Sequence, residues 1–393
     1  MSELPLHGTI VVSLEQAVAA PFATRQLADL GARVIKVERR GDGDFARGYD
    51  GSVQGLSSVF AWLNRSKESV TLDLKHPDAP GVLRRLLADA DVFVQNLAPG
   101  AAARLGLDSD TLASVHPDLI VCDISGYGAS GPYRDKRAYD LLVQGEAGVI
   151  SITGSEDAPA KAGLSVADIA GAMYAYSGIV AALLHRHRTG QARPVEVSLF
   201  EALTEWMGYP LYYAQSGTQP QRMGTSHATI APYGAFDTRD GRPLLVAVQN
   251  QREWARLCSV VLGDAGLATD ERFASNSRRV ANRRALDALL ERRFAELDGK
   301  QAVALLEDAQ IAYARVNDID ELAAHEQLAA RGRWCDVDSP VGAVRALLPP
   351  GVPTGARARM DPIPALGEHT ETVLHGLGYT RDDIDRMRAS ELI

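Results

Sequence analysis

The sequence predicts an α/β protein, with a large Rossmann-like doubly wound domain and a smaller α+β domain. Three observations carry that prediction. Through the N-terminal half, short β-branched runs alternate with stretches of helical period, the rhythm of a mostly parallel sheet. A polar stretch with Gly, Pro and Gln, residues 216–229, then breaks the rhythm as a linker would. Beyond it, a hairpin signal is followed by several helical segments.

The elements follow in order. Residues 9–14 (TIVVSL) read as a buried strand, and Pro21 opens a helix that Gly31 closes. Strands are expected at 33–37, 69–74, 91–95 and 119–124. Helices are expected at 81–90 and at 108–116, the latter capped by Asp108. A long apolar helix over 169–187 meets a strand at 194–199 (PVEVSL). The run YGAFDTRDGRPLLVAV has two strand-like arms around an Asp-Gly turn. Helices are expected at 251–262, 277–297, 300–308 and 319–331, and a last one is boxed by Thr380 and Asp383. The resulting domains are a large one over 1–215, a linker over 216–230 and a small α+β domain over 231–325.

Composition narrows the function classes. With 46% hydrophobic and 23% charged residues in 393, the chain is an ordinary globular protein of two or three domains. A net charge of −9 without a basic stripe argues against nucleic acid as a partner. It leaves room for an anionic small molecule, since a few local Arg and Lys residues suffice for that. Cys122, Cys258 and Cys335 are odd in number and widely spaced, which fits a reducing cytoplasm and neither a disulfide framework nor a thiol zinc site. The N-terminus has no basic segment ahead of its short apolar run, so no signal peptide is expected. The uncharged stretch 169–184 falls short of the roughly 20 residues that span a bilayer and reads as a buried core helix. The expectation is a soluble, cytoplasmic protein without a membrane partner.

Some motifs mislead. Gly126-Tyr127-Gly128-Ala129-Ser130-Gly131 matches G-x-G-x-x-G after a strand, but Pro132 and a charged run follow where a dinucleotide site needs a helix. A tight loop with close backbone approach is the better reading. His185 and His187 are two apart, so on a helix they face different ways, and no metal is expected. Gly224-Thr225-Ser226-His227-Ala228 lacks the final glycine of a nucleophile elbow and lies in the linker.

Asp168, in GLSVADIAGAMY, is the most informative acid. It stands just before the long apolar helix, where local sequence reads first as an N-cap, a role compatible with that of a reactive carboxylate. The helix dipole would favour its ionised form, and its small neighbours Ala167, Ala170, Gly171 and Ala172 would let a substrate approach closely.

The chain as a whole resembles a known family. GTIVVSLEQAVAAPFATRQLADLGARVIKVER, NRSKESVTLDLKHPD, NLAPGAAARLGL, DISGYGASGPY, the Asp168 segment, HRHRTGQARPVEVSLFEAL and PALGEHTETVLHGLGY are similar to blocks of the class III CoA-transferases. That family includes formyl-CoA transferase, carnitine CoA-transferase and α-methylacyl-CoA racemase. The resemblance implies that Asp168 is the nucleophile. It implies CoA contacts at Gln16, Ala17, Arg39, Leu72, Asp73, Leu74, Lys75, Asn96, Leu97, Ala98, Arg104, Lys136, Arg137, Ala138 and Tyr139. CoA carries a pyrophosphate and a further phosphate, for which Arg39, Lys75, Arg104, Lys136 and Arg137 are suitable counter-charges. The resemblance further implies an interlaced homodimer whose large domain is completed by residues 326–393, and CoA or acyl-CoA as substrate with no permanently bound cofactor.

Racemases of this family use a histidine where Arg137-Ala138-Tyr139-Asp140 has Tyr139. A tyrosine, with a pKa of about 10, is a poor base at neutral pH, and the transferases carry a tyrosine there. The transferase branch is therefore expected, moving CoA through an aspartyl anhydride and an aspartyl-CoA thioester. Residues 223–233 (MGTSHATIAPY) hold one glycine where some members have a glycine-rich covering loop. His227 and Gln249 are candidate substrate contacts, and Arg222, Arg252 and His227 candidate partners for a second carboxylate. The segment 209–251 looks most like members that pair succinyl-CoA with itaconate, mesaconate or citramalate. Racemase activity and silent CoA binding are the alternatives.

Overall fold

The computed structural model describes residues 4–393. The chain forms two compact units. The first takes the residues up to Ala147, Ala162–Gly208 and Leu328–Ile393, and the second takes Gly148–Lys161 and Tyr209–Gln327. The sequence reading had kept 148–161 in the large domain. This segment carries no periodicity that would reveal its attachment, which comes from long-range bonds: the Gly224 amide donates to the Gly154 carbonyl at 2.8 Å.

The first unit is built on six parallel strands: β1 (Ile10–Leu14), β2 (Arg33–Glu38), β3 (Lys67–Thr71), β4 (Val92–Gln95), β5 (Ile120–Ser125) and β6 (Val195–Ser198). Their order is β3-β2-β1-β4-β5-β6, that of a doubly wound sheet, with the direction of winding reversing between β1 and β4. The run IVVSL is apolar because a central parallel strand is covered on both faces, and Val12 pairs with Ile35 on one side and Phe93 on the other. Val12, Val37, Leu86 and Phe93 join Leu374 and Ile393 from the C-terminal end in one core cluster.

Strand β3 lies two residues earlier than the sequence suggested. Lys67 is buried but charged and is followed by Glu68, so the strand's first two residues read as loop, whereas Leu72 and Leu74 pack on the core after it has ended. The last segment of the chain covers this strand's outer edge: Thr71 N donates to Thr370 Oγ1 at 3.0 Å and Ser69 N to His369 Nδ1 at 3.2 Å. A short antiparallel pair, β10 (Trp334–Val337) and β11 (Val344–Leu347), belongs to the same segment and had not been anticipated.

The long apolar helix runs from Val166 to Thr189, three residues earlier than expected. Asp168 is therefore inside its first turn rather than ahead of it. Only one side of the helix is buried, through Ala167, Ala170, Gly171, Ala172, Ala175, Ile179 and Ala182, while Met173, Tyr174 and Leu184 are exposed. A Cβ on Gly171 would sit 2.5 Å from Leu199 Cδ2, so glycine allows the close crossing with the Leu199–Trp206 helix. Near the far end Arg186 bonds the Asp91 carboxylate at 2.6 Å and the Asp118 carbonyl at 2.7 Å. Both acids precede their strands. The helix N-terminus, with Asp168, consequently lies at the carboxyl ends of the strands.

The second unit carries the sheet β7 (Tyr233–Asp237), β8 (Pro243–Ala247) and β9 (Ala312–Arg315), in that order and antiparallel. The β7–β8 turn uses Gly241 at φ 75° beside Asp240, as the Asp-Gly signal implied. Trp254, Phe273, Phe294 and Phe236 fill the core. The helix expected over 277–297 is interrupted at Asn282, giving Asn276–Ala281 and Arg283–Ala295. Strand β9 is largely exposed and has no apolar run, so periodicity could not reveal it.

Candidate active site

A parallel sheet offers its ligand crevice at the carboxyl ends of its strands, at the point where the winding reverses. Here Gln16 and Ala17 follow β1, Arg39 follows β2, residues 72–75 follow β3 and residues 96–98 follow β4. The structure thus brings all of these expected CoA positions to one edge. Asn96 ties the two central strands together: its Oδ1 accepts from the Gln16 amide and its Nδ2 donates to the Gln16 carbonyl, both at 2.9 Å. Ala17 adopts φ 62°, a left-handed conformation that is rare outside glycine, and its amide donates to Asp44 Oδ1 at 3.0 Å. Arg39, Lys75 and Arg104 are exposed.

Beneath this edge lies a buried polar network, of which only Arg47 is partly exposed. Lys36 Nζ is 2.6 Å from Asp44 Oδ2 and 2.9 Å from Asn64 Oδ1, and Lys67 Nζ is 2.6 Å from Glu15 Oε1. Glu38 takes Arg47 through both oxygens, at 2.7 and 2.8 Å, and Ser69 Oγ at 2.6 Å. The acids Glu15, Glu38 and Asp44 balance the bases Lys36, Lys67 and Arg47, as burial of charge requires. Burial alone would raise Glu38, but Arg47 and Lys36 draw it down to about 2. Burial pushes Lys67 down to about 8 despite Glu15. Asp44 is the link from this network to the ligand edge. It bonds Lys36 below and the amides of Ala17 and Ala46 above.

The loop after β5 completes the edge. A Cβ on Gly126 would lie 2.2 Å from the Cβ of Ala138, so glycine lets residues 137–139 pack directly on the SGYG turn. This is the close backbone approach expected in place of a dinucleotide motif. The Ala129 amide donates to Glu196 Oε1 at 2.8 Å and the Gly128 amide to Ser125 Oγ at 2.9 Å, which spends two of the loop's donors within the protein. Tyr139 is 66% exposed, open to a ligand.

Asp168 is half-buried in the first turn of its helix. The helix amides of Ala167 and Asp168 donate to Asp140 Oδ1 at 2.8 and 3.5 Å. Asp140 Oδ2 accepts from Gln144 Nε2 at 2.7 Å. Asp140 therefore caps the helix, and neither Ser165 nor Asp168 does so. Among the described residues no hydrogen bond reaches the Asp168 carboxylate. Burial, and then the Asp140 charge, push its pKa up to about 7. The expectation that the dipole would favour its ionised form is thus reversed, because burial, and then a second carboxylate seated on the amides, outweigh it. Burial, with Asp44, Asp168 and Tyr139 beyond it, raises the nearby Tyr49 hydroxyl to about 12. A carboxylate that is accessible, unpaired and near neutrality in pKa is chemically suited to nucleophilic attack.

Other expected positions are used differently. The Leu72 side chain is 1% exposed in the core, so this residue offers a ligand only its backbone. Lys136 pairs with Glu146 and lies over the Tyr133 ring at 4.2 Å, so it is already neutralised. In the second unit, Arg222 donates to the carbonyls of Ser155 at 3.0 Å and Glu156 at 2.9 Å, committing its guanidinium to the fold rather than to a carboxylate. His227 stacks on Tyr233 at 5.3 Å and its Nδ1 accepts from Thr229 N, while Gln249 and Arg252 are exposed. No group of three His, Cys, Asp or Glu fit for a metal occurs among the described residues. Sequence reasoning missed Asp44, Tyr49 and Gln144. The available signal for Gln144 was its spacing, four residues after Asp140 on a helix.

Comparison with known proteins identifies the family. The profile of CoA-transferase family III matches residues 6–370. A succinate–glutarate CoA-transferase of Agrobacterium fabrum is 36% identical over 94% of this chain and 95% of its own. A succinyl-CoA:glutarate CoA-transferase of Mus musculus is 33% identical over 99% of this chain and 90% of its own. Among solved structures, a CAIB/BAIF family protein from Brucella suis superposes with a TM-score of 0.83 at 36% identity, covering 96% of this chain and 100% of that one.

Proposed function

This chain belongs to CoA-transferase family III and is a CoA-transferase, and we propose that it exchanges CoA between succinyl-CoA and a small dicarboxylic acid through a covalent intermediate on Asp168. The observation that carries the proposal is the unpaired Asp168 carboxylate, raised to about 7 at the ligand edge of the sheet. Itaconate, mesaconate and citramalate are acceptors on the resemblance of residues 209–251, and glutarate joins them because the relatives described above are named for it.

The Asp168 carboxylate attacks the donor thioester carbonyl, forming a mixed anhydride and expelling CoA thiolate. The thiolate attacks the aspartyl carbonyl of that anhydride, giving an aspartyl-CoA thioester and releasing the donor acid. The acceptor carboxylate then attacks the thioester, regenerating an anhydride and the thiolate. Attack of the thiolate on the acceptor's carbonyl yields the new acyl-CoA and returns Asp168 as a carboxylate. No proton or electron is consumed, and each step replaces one activated acyl group by another. CoA would lie along the carboxyl ends of β1 to β4, with Gln16, Ala17 and residues 96–98 in contact and Arg39, Lys75 and Arg104 meeting its phosphates. Tyr139 takes the place of a racemase base, which favours transfer over proton exchange at the α-carbon. The active protein is proposed to be the interlaced homodimer, acting in the cytoplasm.

The test is to incubate the enzyme with succinyl-CoA and a panel of mono- and dicarboxylic acids and to follow new thioesters by mass spectrometry. Dicarboxylates, glutarate among them, are expected to be loaded, and Asp168→Ala is expected to lose transfer while keeping CoA binding. Full transfer by Asp168→Ala, or loading of monocarboxylates alone, would contradict the proposal.

A further inference from the structure

We infer that Gln144 is a positioning residue: it holds Asp140 on the first-turn amides of the Val166–Thr189 helix and so leaves the Asp168 carboxylate unpaired for attack. This rests on the reading of Asp168 as the nucleophile and adds to it a residue that never touches substrate.

An acid at the third position of a helix ordinarily folds back on the N-cap amide or receives the helix amides itself. A carboxylate tied up in that way is stabilised as an anion and has its lone pairs occupied, which weakens it as a nucleophile. Asp168 occupies that third position, yet the amides of Ala167 and Asp168 turn to Asp140 instead. Asp140 can hold them only while its carboxylate plane is fixed, and Gln144 fixes it. Gln144 is 0% exposed, and its amide group is committed on both ends. Nε2 donates to Asp140 Oδ2 at 2.7 Å and reaches the Leu164 carbonyl at 3.4 Å, while Oε1 accepts from the Ala162 amide at 2.9 Å. One side chain therefore joins the Asp140–Glu146 helix to the segment leading into the long helix, and reaches that helix's first turn through Asp140. The titratable groups that interact with Asp168 are Asp140 and Tyr49, and Tyr49 in turn feels Asp44 and Tyr139. Of these, Asp140 is the one bonded to the helix that carries Asp168.

The experiment follows single-turnover acylation of Asp168 by succinyl-CoA, read by peptide mass mapping across pH, with CoA affinity measured separately by calorimetry. Gln144→Leu removes the donor and frees Asp140 to rotate away. Acylation is expected to slow about 100-fold, the usual cost of a misplaced reacting group, and its pH midpoint to fall, because Asp168 then takes the amides itself. CoA affinity should hold. Gln144→Glu keeps the shape and the acceptor for Ala162 and guards against a folding failure of the leucine variant. Protonated, it can still donate to Asp140; ionised, it repels it. Its acylation should therefore peak and then decline as pH rises, where the wild type rises to a plateau. A folded Gln144→Leu with wild-type rate and midpoint, or a Gln144→Glu profile identical to wild type, would overturn this inference alone. Absence of any adduct on Asp168 in the wild type would overturn the nucleophile reading and this inference with it.

Discussion

Asn96 makes hydrogen bonds from both ends of its side-chain amide to the backbone of Gln16, 80 positions earlier in the chain and just past the end of the neighbouring strand. The pair fixes the crevice where the winding of the sheet reverses, which is where CoA is proposed to lie. Asn96→Ala removes both bonds. It should cost about 1–3 kcal/mol of stability and raise the KM for acyl-CoA more than it lowers kcat. Thermal unfolding and steady-state kinetics check this; an unchanged KM would separate Asn96 from ligand binding.

The buried network beneath that edge should be intolerant of a single deletion. Lys67→Met leaves Glu15 without its 2.6 Å partner in a site with no solvent exposure. A loss of about 3–5 kcal/mol in urea unfolding is expected. A loss below about 1 kcal/mol, the range of exposed pairs, would show that Lys36 at 3.6 Å suffices for Glu15.

Acid should reveal the same network through Glu38. Its folded pKa of about 2 is depressed from 4.5, so the unfolded chain binds its proton first and the stabilisation is fully present above about 4.5. The stability difference between wild type and Glu38→Gln should accordingly shrink as pH falls from about 4.5 to about 2, and vanish below that. A pH-independent difference would mean that Glu38 contributes through packing rather than charge.

Much of the fold was legible because the strands of a parallel sheet are apolar on both faces and helix ends carry Pro, Gly and Asp. β1, β2, β4 and β5 lie within a residue or two of their expected positions. The exceptions have a common cause. Where burial is achieved by ion pairing, as at Lys67 in β3, composition reads as loop. Where attachment depends on long-range backbone bonds, as for residues 148–161, local pattern is silent. The site behaved similarly. Asp168 and the residues after β1 to β4 were visible as a family pattern, but the displacement of Asp168 from its own helix amides depends on Asp140 and Gln144, which only the folded chain brings together.

Gly126 should be irreplaceable for a steric reason. An added methyl would overlap Ala138, so Gly126→Ala is expected to destabilise by about 1–3 kcal/mol and to displace the Ala138–Tyr139 backbone. Activity should fall further than stability at ambient temperature, measured by comparing turnover with melting curves. Full activity in a folded Gly126→Ala would show that the loop's position is not needed.

Ionisation of the proposed nucleophile should set the pH dependence of transfer. Asp168 is raised to about 7, and only its anion can attack, so kcat should climb with pH through about 7 and then level off. A profile flat from about pH 5 upward would indicate a carboxylate of ordinary pKa.

The most direct measurement is hydroxylamine trapping during turnover with succinyl-CoA, followed by peptide mapping. A hydroxamate on the peptide carrying Asp168, formed only when acyl-CoA is present, is the predicted result. New acyl-CoA accumulating while Asp168 stays unmodified throughout would contradict the account.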